Sequence, residues 1–208
     1  MRTACIIPAF NEEKTIKDVI EVVKSVKIID EVIVVSDGSK DNTAKISRDM
    51  GVFTIEYEEN KGKGAALKAG IDNANADILL FLDADLIGLT KQHVISLLEP
   101  VINDEADMTI GIFSNGRLAT DLAQKVAPHL SGQRAIKKEI ITNINNIDMT
   151  RYGVEVALTK LVEKENYRVK TVELKDMTHI MKEEKLGFKK GIAARMKMYW
   201  EIVKCLKM

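Results

Sequence analysis

The chain has 208 residues, 46% of them hydrophobic and 30% charged, and its 31 basic residues balance its 31 acidic ones. That length suits one domain able to bury a core, and the composition excludes global disorder. Zero net charge argues against a general nucleic-acid binder, which carries a clear basic excess, and leaves room only for a local basic patch. Cys5 and Cys205 are the two cysteines, too far apart for a Cys-x-x-Cys metal pair or a disulfide framework. Cys5 reads as a small buried strand residue. The opening MRTACIIPAF has too short an apolar run for a signal peptide, and no run approaches a spanning helix. A reducing cytoplasm is the expected setting.

In chain order, residues 3–7 read as a strand and 13–26 as a helix, with Ile16, Val19, Ile20 and Val23 on one stripe and Asn11 as N-cap. Residues 31–35 (EVIVV) form a continuous apolar strand of the buried parallel type. Asp41 or Asn42 caps a short helix reaching Met50, and 52–56 make a third strand. Residues 64–74 form a helix, and 78–82 (ILLFL) the clearest buried strand. A helix over Lys91–Ile102 and a strand over 107–112 follow. The second half is less regular. Residues 113–134 look loop-rich, 152–165 carry a helical stripe, 168–174 read as the last strand, and 182–207 as a long terminal helix. His93 and His129 read as surface residues.

This rhythm predicts an α/β fold, with a mainly parallel sheet and helices on both faces. Ligands bind such sheets beyond the carboxyl ends of the strands. The notable polar residues fall there: Asn11 and Glu12, then Ser36 and Asp37, then Asp83 and Asp85. Asp83 and Asp85 follow a buried strand, so one can face a ligand while the other reaches a cation. Hard divalent cations prefer oxygen, and Mg²⁺ typically uses one or two carboxylates plus substrate phosphates. The plain alternative is a polar loop with a capping aspartate. Gly62-Lys63-Gly64 opens a helix without being a Walker A loop, because Tyr57 and Gly64 occupy the positions needing Gly and Ser or Thr. Leu67 breaks the dinucleotide pattern as well. Glycines, a helix N-terminus and Lys63 still favour a phosphate.

IIPAFNEE at 6–13, VVSDGSKDNT at 34–43, NKGKGAALKAGI at 60–71 and LLFLDADL at 79–86 resemble, in order and spacing, the motifs of GT-A fold glycosyltransferases of family 2. The resemblance covers residues 1–112 and implies a Rossmann-like GT-A sheet with a nucleotide-sugar donor, in particular a UDP-sugar such as UDP-glucose. It implies a turn of Pro8, Ala9, Phe10, Asn11 and Glu12 around the nucleoside. Ser36 and Asp37 lie near the base, with Ser36 standing where the family usually has an aspartate. Lys63, Asp83 and Ala84 lie along the nucleotide.

In the second half, Asn115-Gly116-Arg117-Leu118-Ala119-Thr120, Leu130-Ser131-Gly132-Gln133-Arg134-Ala135, Tyr152-Gly153-Val154-Glu155 and His179 look like the acceptor half of glucosyl-3-phosphoglycerate synthases. The loop before Thr120 is one residue longer here. That resemblance implies Asp85 and His179 as ligands of Mg²⁺ or Mn²⁺, imidazole with carboxylate suiting Mn²⁺ better. It implies Gly116, Arg117, Thr120, Ser131, Gly132, Tyr152 and Gly153 as acceptor contacts, and Asp85, Arg117 and Glu155 as catalytic residues. Arginine suits a phosphate or carboxylate acceptor such as 3-phosphoglycerate. Glu155 either deprotonates the acceptor hydroxyl, as in inverting relatives, or contacts acceptor or sugar, as in retaining ones.

The expected organisation is a nucleotide-sugar half at 1–112, an acceptor half at 113–180 and a basic amphipathic helix at 181–208. From 189 onward six basic residues face one acid, Glu201. Such a helix lies on an anionic membrane at the inner face, packs on a second subunit, or docks on its own domain. Two other readings stay open: a polyprenyl-phosphate glycosyltransferase at the membrane, and a nucleotide-binding module without catalysis. A sugar nucleotidyltransferase needs a glycine-rich basic loop after the first strand, and PAFNEE is not one.

Overall fold

The computed structural model describes residues 1–114, 131–142 and 164–179, together with Leu158 and Val162. Among the described residues the elements run β1 (Thr3–Ala9), α1 (Ile16–Lys24), β2 (Glu31–Asp37), α2 (Thr43–Asp49), β3 (Phe53–Tyr57), α3 (Lys63–Asn73), β4 (Ile78–Phe81), β5 (Leu86–Ile87), α4 (Lys91–Ile102), β6 (Met108–Ser114), β7 (Arg134–Lys137), α5 (Lys138–Thr142), β8 (Val169–Lys175) and β9 (Thr178–His179). The main sheet has seven strands in the order β3-β2-β1-β4-β7-β6-β8. Strand β7 runs antiparallel to β4 and β6, and every other pairing in this sheet is parallel. The sheet is thus mainly parallel, as the strand-helix rhythm predicts.

Side-chain alternation along the strands feeds two cores. On one face Cys5, Ile7 and Ala9 meet Ile16, Val19, Ile20 and Val23 of α1 and Val94, Leu97, Leu98 and Val101 of α4. On the other, Ala4, Ile6, Ile33 and Val35 meet Ala66, Leu67 and Ile71 of α3, joined by Leu158 and Val162. Cys5 is fully buried, and that burial pushes its thiol pKa far up, so it packs as a hydrophobe.

Local differences have physical causes. Asn11 does not cap α1. Its φ is 57°, its Oδ1 accepts from Lys40 N at 2.8 Å, and its own N donates to Ser39 Oγ at 3.1 Å. It therefore ties the β1 turn to the β2–α2 loop, and α1 starts only at Ile16. Asp41, rather than Asn42, accepts the N–H of Thr43 at the head of α2. Burial pushes the Asp41 carboxyl up, and its bonds from the Thr43 hydroxyl and amide and from Glu13 N outweigh that and hold it below its ordinary value. His93 is half-buried and completes a capping box with Thr90. Strand β8 is not the last, since β9 follows and pairs with β5. Strand β7 lies at the end of the segment that looks loop-rich. It is four residues long and opens with an arginine only 1% exposed, so no apolar pattern marks it.

Candidate active site

The carboxyl ends of β1, β2 and β4 lie side by side, with Ala9 opposite Ser36 and Ile6 opposite Phe81. Here Pro8 and Ala9 end β1, Phe10 is 47% exposed, and Asn11 and Glu12 make the turn into α1. Glu12 N donates to Thr43 Oγ1 at 2.8 Å, a second tie to the β2–α2 region. Ser36 is fully buried and its hydroxyl donates to Ser39 Oγ at 3.0 Å.

Asp37 is 4% exposed, and its carboxylate accepts the N–H of Lys61 at 2.7 Å and of Gly62 at 2.8 Å. It shapes the loop that starts α3. Gly62, at φ 95° and ψ 157°, is the N-cap there, a conformation reserved for glycine. The outcome is a helix N-terminus with Lys63 as its first residue, whose side chain reaches Asp83 just past the end of β4.

Lys63 Nζ donates to Asp83 Oδ1 at 2.6 Å, and both side chains are a little over a quarter exposed. The other oxygen of Asp83 accepts from Gln133 Nε2 at 3.1 Å. Strand β7 explains this second bond. Its antiparallel register sets Arg134 against Phe81, so the residues before Arg134 run alongside those after Phe81. Gly132 sits so close that a Cβ there would lie 2.7 Å from Lys63 Nζ and 2.8 Å from Asp83 Oδ2. The buried Arg134 ties the same segment, its Nε donating to Ser131 O at 2.9 Å.

Ala84 is buried and Asp85 is partly exposed. The β5–β9 bridge pairs Leu86 with His179, so the backbone of His179 lies across from the residue after Asp85. Among the described residues, no group of three or more His, Cys, Asp or Glu could hold a metal ion by itself. Asp85 offers a carboxylate oxygen next to this bridge, a donor type that fits a hard divalent cation taking its remaining ligands from a bound diphosphate.

Of the residues expected from sequence, Pro8, Ala9, Phe10, Asn11, Glu12, Ser36, Asp37, Lys63, Asp83, Ala84, Asp85, Ser131 and Gly132 lie along this carboxyl edge. Gly116, Arg117, Thr120, Tyr152, Gly153, Glu155 and the helix over 182–207 lie outside the described residues. Sequence reasoning missed Gln133. Its neighbours Ser131 and Gly132 were legible as a loop signal, but nothing local ties a glutamine to an acid 50 residues away.

A mainly parallel Rossmann-like sheet with an Asp-x-Asp after its central strand is the GT-A fold. The chain belongs to glycosyl transferase family 2, whose model matches residues 4–160. It is 28% identical over 190 residues to the glucosyl-3-phosphoglycerate synthase of Mycobacterium tuberculosis, covering 74% of this chain and 58% of that protein. It is 35% identical over 130 residues to the UDP-N-acetylglucosamine–dolichyl-phosphate N-acetylglucosaminyltransferase of Methanococcus voltae, covering 51% of this chain and 49% of that one. The chain thus spans about half the length of these curated relatives. Among solved structures, the M. tuberculosis synthase in complex with Mn²⁺ and UDP-glucose superposes with a TM-score of 0.74 at 26% identity, covering 86% of this chain and 71% of that one.

Proposed function

We propose that the protein is a metal-dependent glycosyltransferase moving a sugar from a UDP-sugar to a small anionic acceptor such as 3-phosphoglycerate. The observation that carries it is the Lys63–Asp83–Gln133 group beside Asp85, at the carboxyl ends of the central strands of a family 2 sheet. The turn from Pro8 to Glu12, with Ser36, forms the nucleoside wall. The N-terminus of α3 and Lys63 attract the diphosphate. Asp85 and His179 would hold Mg²⁺ or Mn²⁺. When bound, the cation supplies Lewis acidity that offsets charge on the departing diphosphate. Ser131 and Gly132 line the acceptor side, where Arg117, Thr120, Tyr152 and Gly153 are proposed to hold the acceptor's anionic group. Glu155 is proposed to act on the acceptor hydroxyl or to bind the sugar.

To test this, the protein is mixed with UDP-sugars, Mn²⁺ or Mg²⁺ and an acceptor panel led by 3-phosphoglycerate, following UDP release and the anomeric configuration of the product. UDP release that depends on both metal and acceptor supports the reading. Tight UDP binding with no turnover on any acceptor favours a non-catalytic nucleotide-binding module.

A polyprenyl-phosphate acceptor is the second reading. It is favoured by the dolichyl-phosphate relatives from Methanococcus voltae and Trichomonas vaginalis. Among the described residues no helix is long and apolar enough to cross a membrane. Membrane contact would then fall to the basic segment beyond 181. Turnover on a polyprenyl phosphate but not on 3-phosphoglycerate, with flotation on anionic liposomes, selects it.

A further inference from the structure

Gln133 is placed where a side chain chosen only for packing would be apolar. It is 2% exposed, its Nε2 reaches Asp83 Oδ2 at 3.1 Å, and its Oε1 is buried with no hydrogen-bond partner among the described residues. The amide nitrogen must face Asp83, because the opposite orientation would set oxygen against carboxylate. Burying an amide with half its capacity unused is unfavourable for folding alone. The bond it does make is charge-assisted, and it secures the oxygen of Asp83 that Lys63 leaves.

The backbone around Gln133 is fixed on two sides. Its N donates to Ser131 Oγ at 3.3 Å, and its carbonyl accepts the N–H of Gly111 at 2.8 Å. Gly111 has no side chain to push it away; a Cβ there would lie 3.2 Å from Gln133 Cβ. Gln133 is therefore anchored to β6 and β7, whereas Asp83 and Lys63 project from the partly exposed end of β4 and the head of α3. The two charged groups are referenced to one buried neutral donor.

We propose that Gln133 is a positioning residue for nucleotide binding. It sets the plane of the Asp83 carboxylate, and through it the position of the Lys63 ammonium, before the donor arrives. This rests on the nucleotide-site reading above. Asp83 thus bridges Gln133 and Lys63 through its two oxygens. Preorganising such a pair matters because small misplacements of binding groups carry large penalties.

The experiment measures the Kd for UDP with Mn²⁺ by calorimetry in wild type, Gln133→Leu, Asp83→Ala and the double variant, with Tm recorded for each. Gln133→Leu is expected to raise Kd about tenfold, because Asp83 and Lys63 are then no longer held in place before the donor arrives, with little change in Tm. In the Asp83→Ala background the same change is expected to add less than about twofold, because its partner is already gone. Gln133→Asn keeps the amide but shortens its reach, so it should weaken UDP binding as Leu does and serves if Leu unfolds. Wild-type Kd in Gln133→Leu or Gln133→Asn, or an equal loss with and without Asp83, overturns the inference. A wild type that binds no UDP with Mn²⁺ overturns the nucleotide-site reading, and this inference with it.

Discussion

At the amino edge of the sheet, Asp30, Asp77 and Asp107 each stand one residue before a strand. They accept the backbone N–H of Thr3, Arg2 and Arg168 at 2.8, 2.8 and 2.9 Å, at the starts of neighbouring strands. Asp107 is further bound by the Arg168 and Lys137 side chains, joined by Asp104. At the carboxyl edge, Asp83 is held by two side chains, Lys63 and Gln133. Asp37 lies at the carboxyl edge but behaves like an amino-edge acid, with both oxygens given to backbone N–H groups. A backbone partner comes with the fold and cannot leave without unfolding it. A lysine partner can turn toward an arriving anion. Under the proposed function, Asp83 is the acid of this set that meets a ligand, while Asp30, Asp77, Asp107 and Asp37 hold the sheet and its loops together.

Substitutions at the two edges should separate cleanly. The largest effect is expected from Asp85→Ala, which should cut UDP release about a thousandfold or more while Tm stays near wild type. An Asp85→Ala enzyme as active as wild type would remove the catalytic claim. Gly132→Ala comes next. Its methyl would overlap the ends of Lys63 and Asp83, which can shift, so stability should change little. Donor affinity should fall on the order of tenfold to a hundredfold because the pair moves. A stability loss without a change in UDP affinity would mean that the approach of β7 is only packing.

The smallest functional effect is expected at the amino edge. Asp107→Asn should cost about 1–2 kcal/mol of stability in denaturant unfolding and leave UDP affinity unchanged. Its acid dependence gives a sharper check. Hydrogen bonds from Arg168, then from Lys137, outweigh burial and hold the Asp107 carboxyl well below its ordinary value of 3.8. Its folded-state pKa is depressed, so its stabilisation is present above about pH 4 and is lost as pH falls below that. The acid limb of the stability curve should therefore be shallower in Asp107→Asn than in wild type. Part of the limb should remain, because Asp104 is held low by Lys137 and Arg168, and Glu105 by Lys170. An unchanged limb would show that the cluster is screened by solvent and contributes little.

Much of the fold was legible because hydrophobic periodicity is local. The strand through ILLFL and the helix over Lys91–Ile102 appear almost where their patterns lie. Boundaries at the carboxyl ends of the first strands shifted more. Strands β1 and β2 run on to Ala9 and Asp37, because Ser36 and Asp37 find partners inside the fold and need not leave the sheet. The Asp-x-Asp and Gly-Lys-Gly motifs were visible as spacing, and both lie at the expected edge. Asn11 was misread as a cap because a side chain that bonds a distant loop looks the same in sequence as one that caps its own helix.

The sequence by itself determined most of the strand and helix order through residue 112, the mainly parallel character of the sheet and the place of the acids at strand ends, because each follows from patterns within a few residues. Only the tertiary structure decided that β7 inserts antiparallel between β4 and β6, that Gln133 holds Asp83, and that His179 is brought opposite Leu86. Those pairings join residues far apart in the chain. They are set by which buried strands and polar groups can satisfy one another once the core has closed.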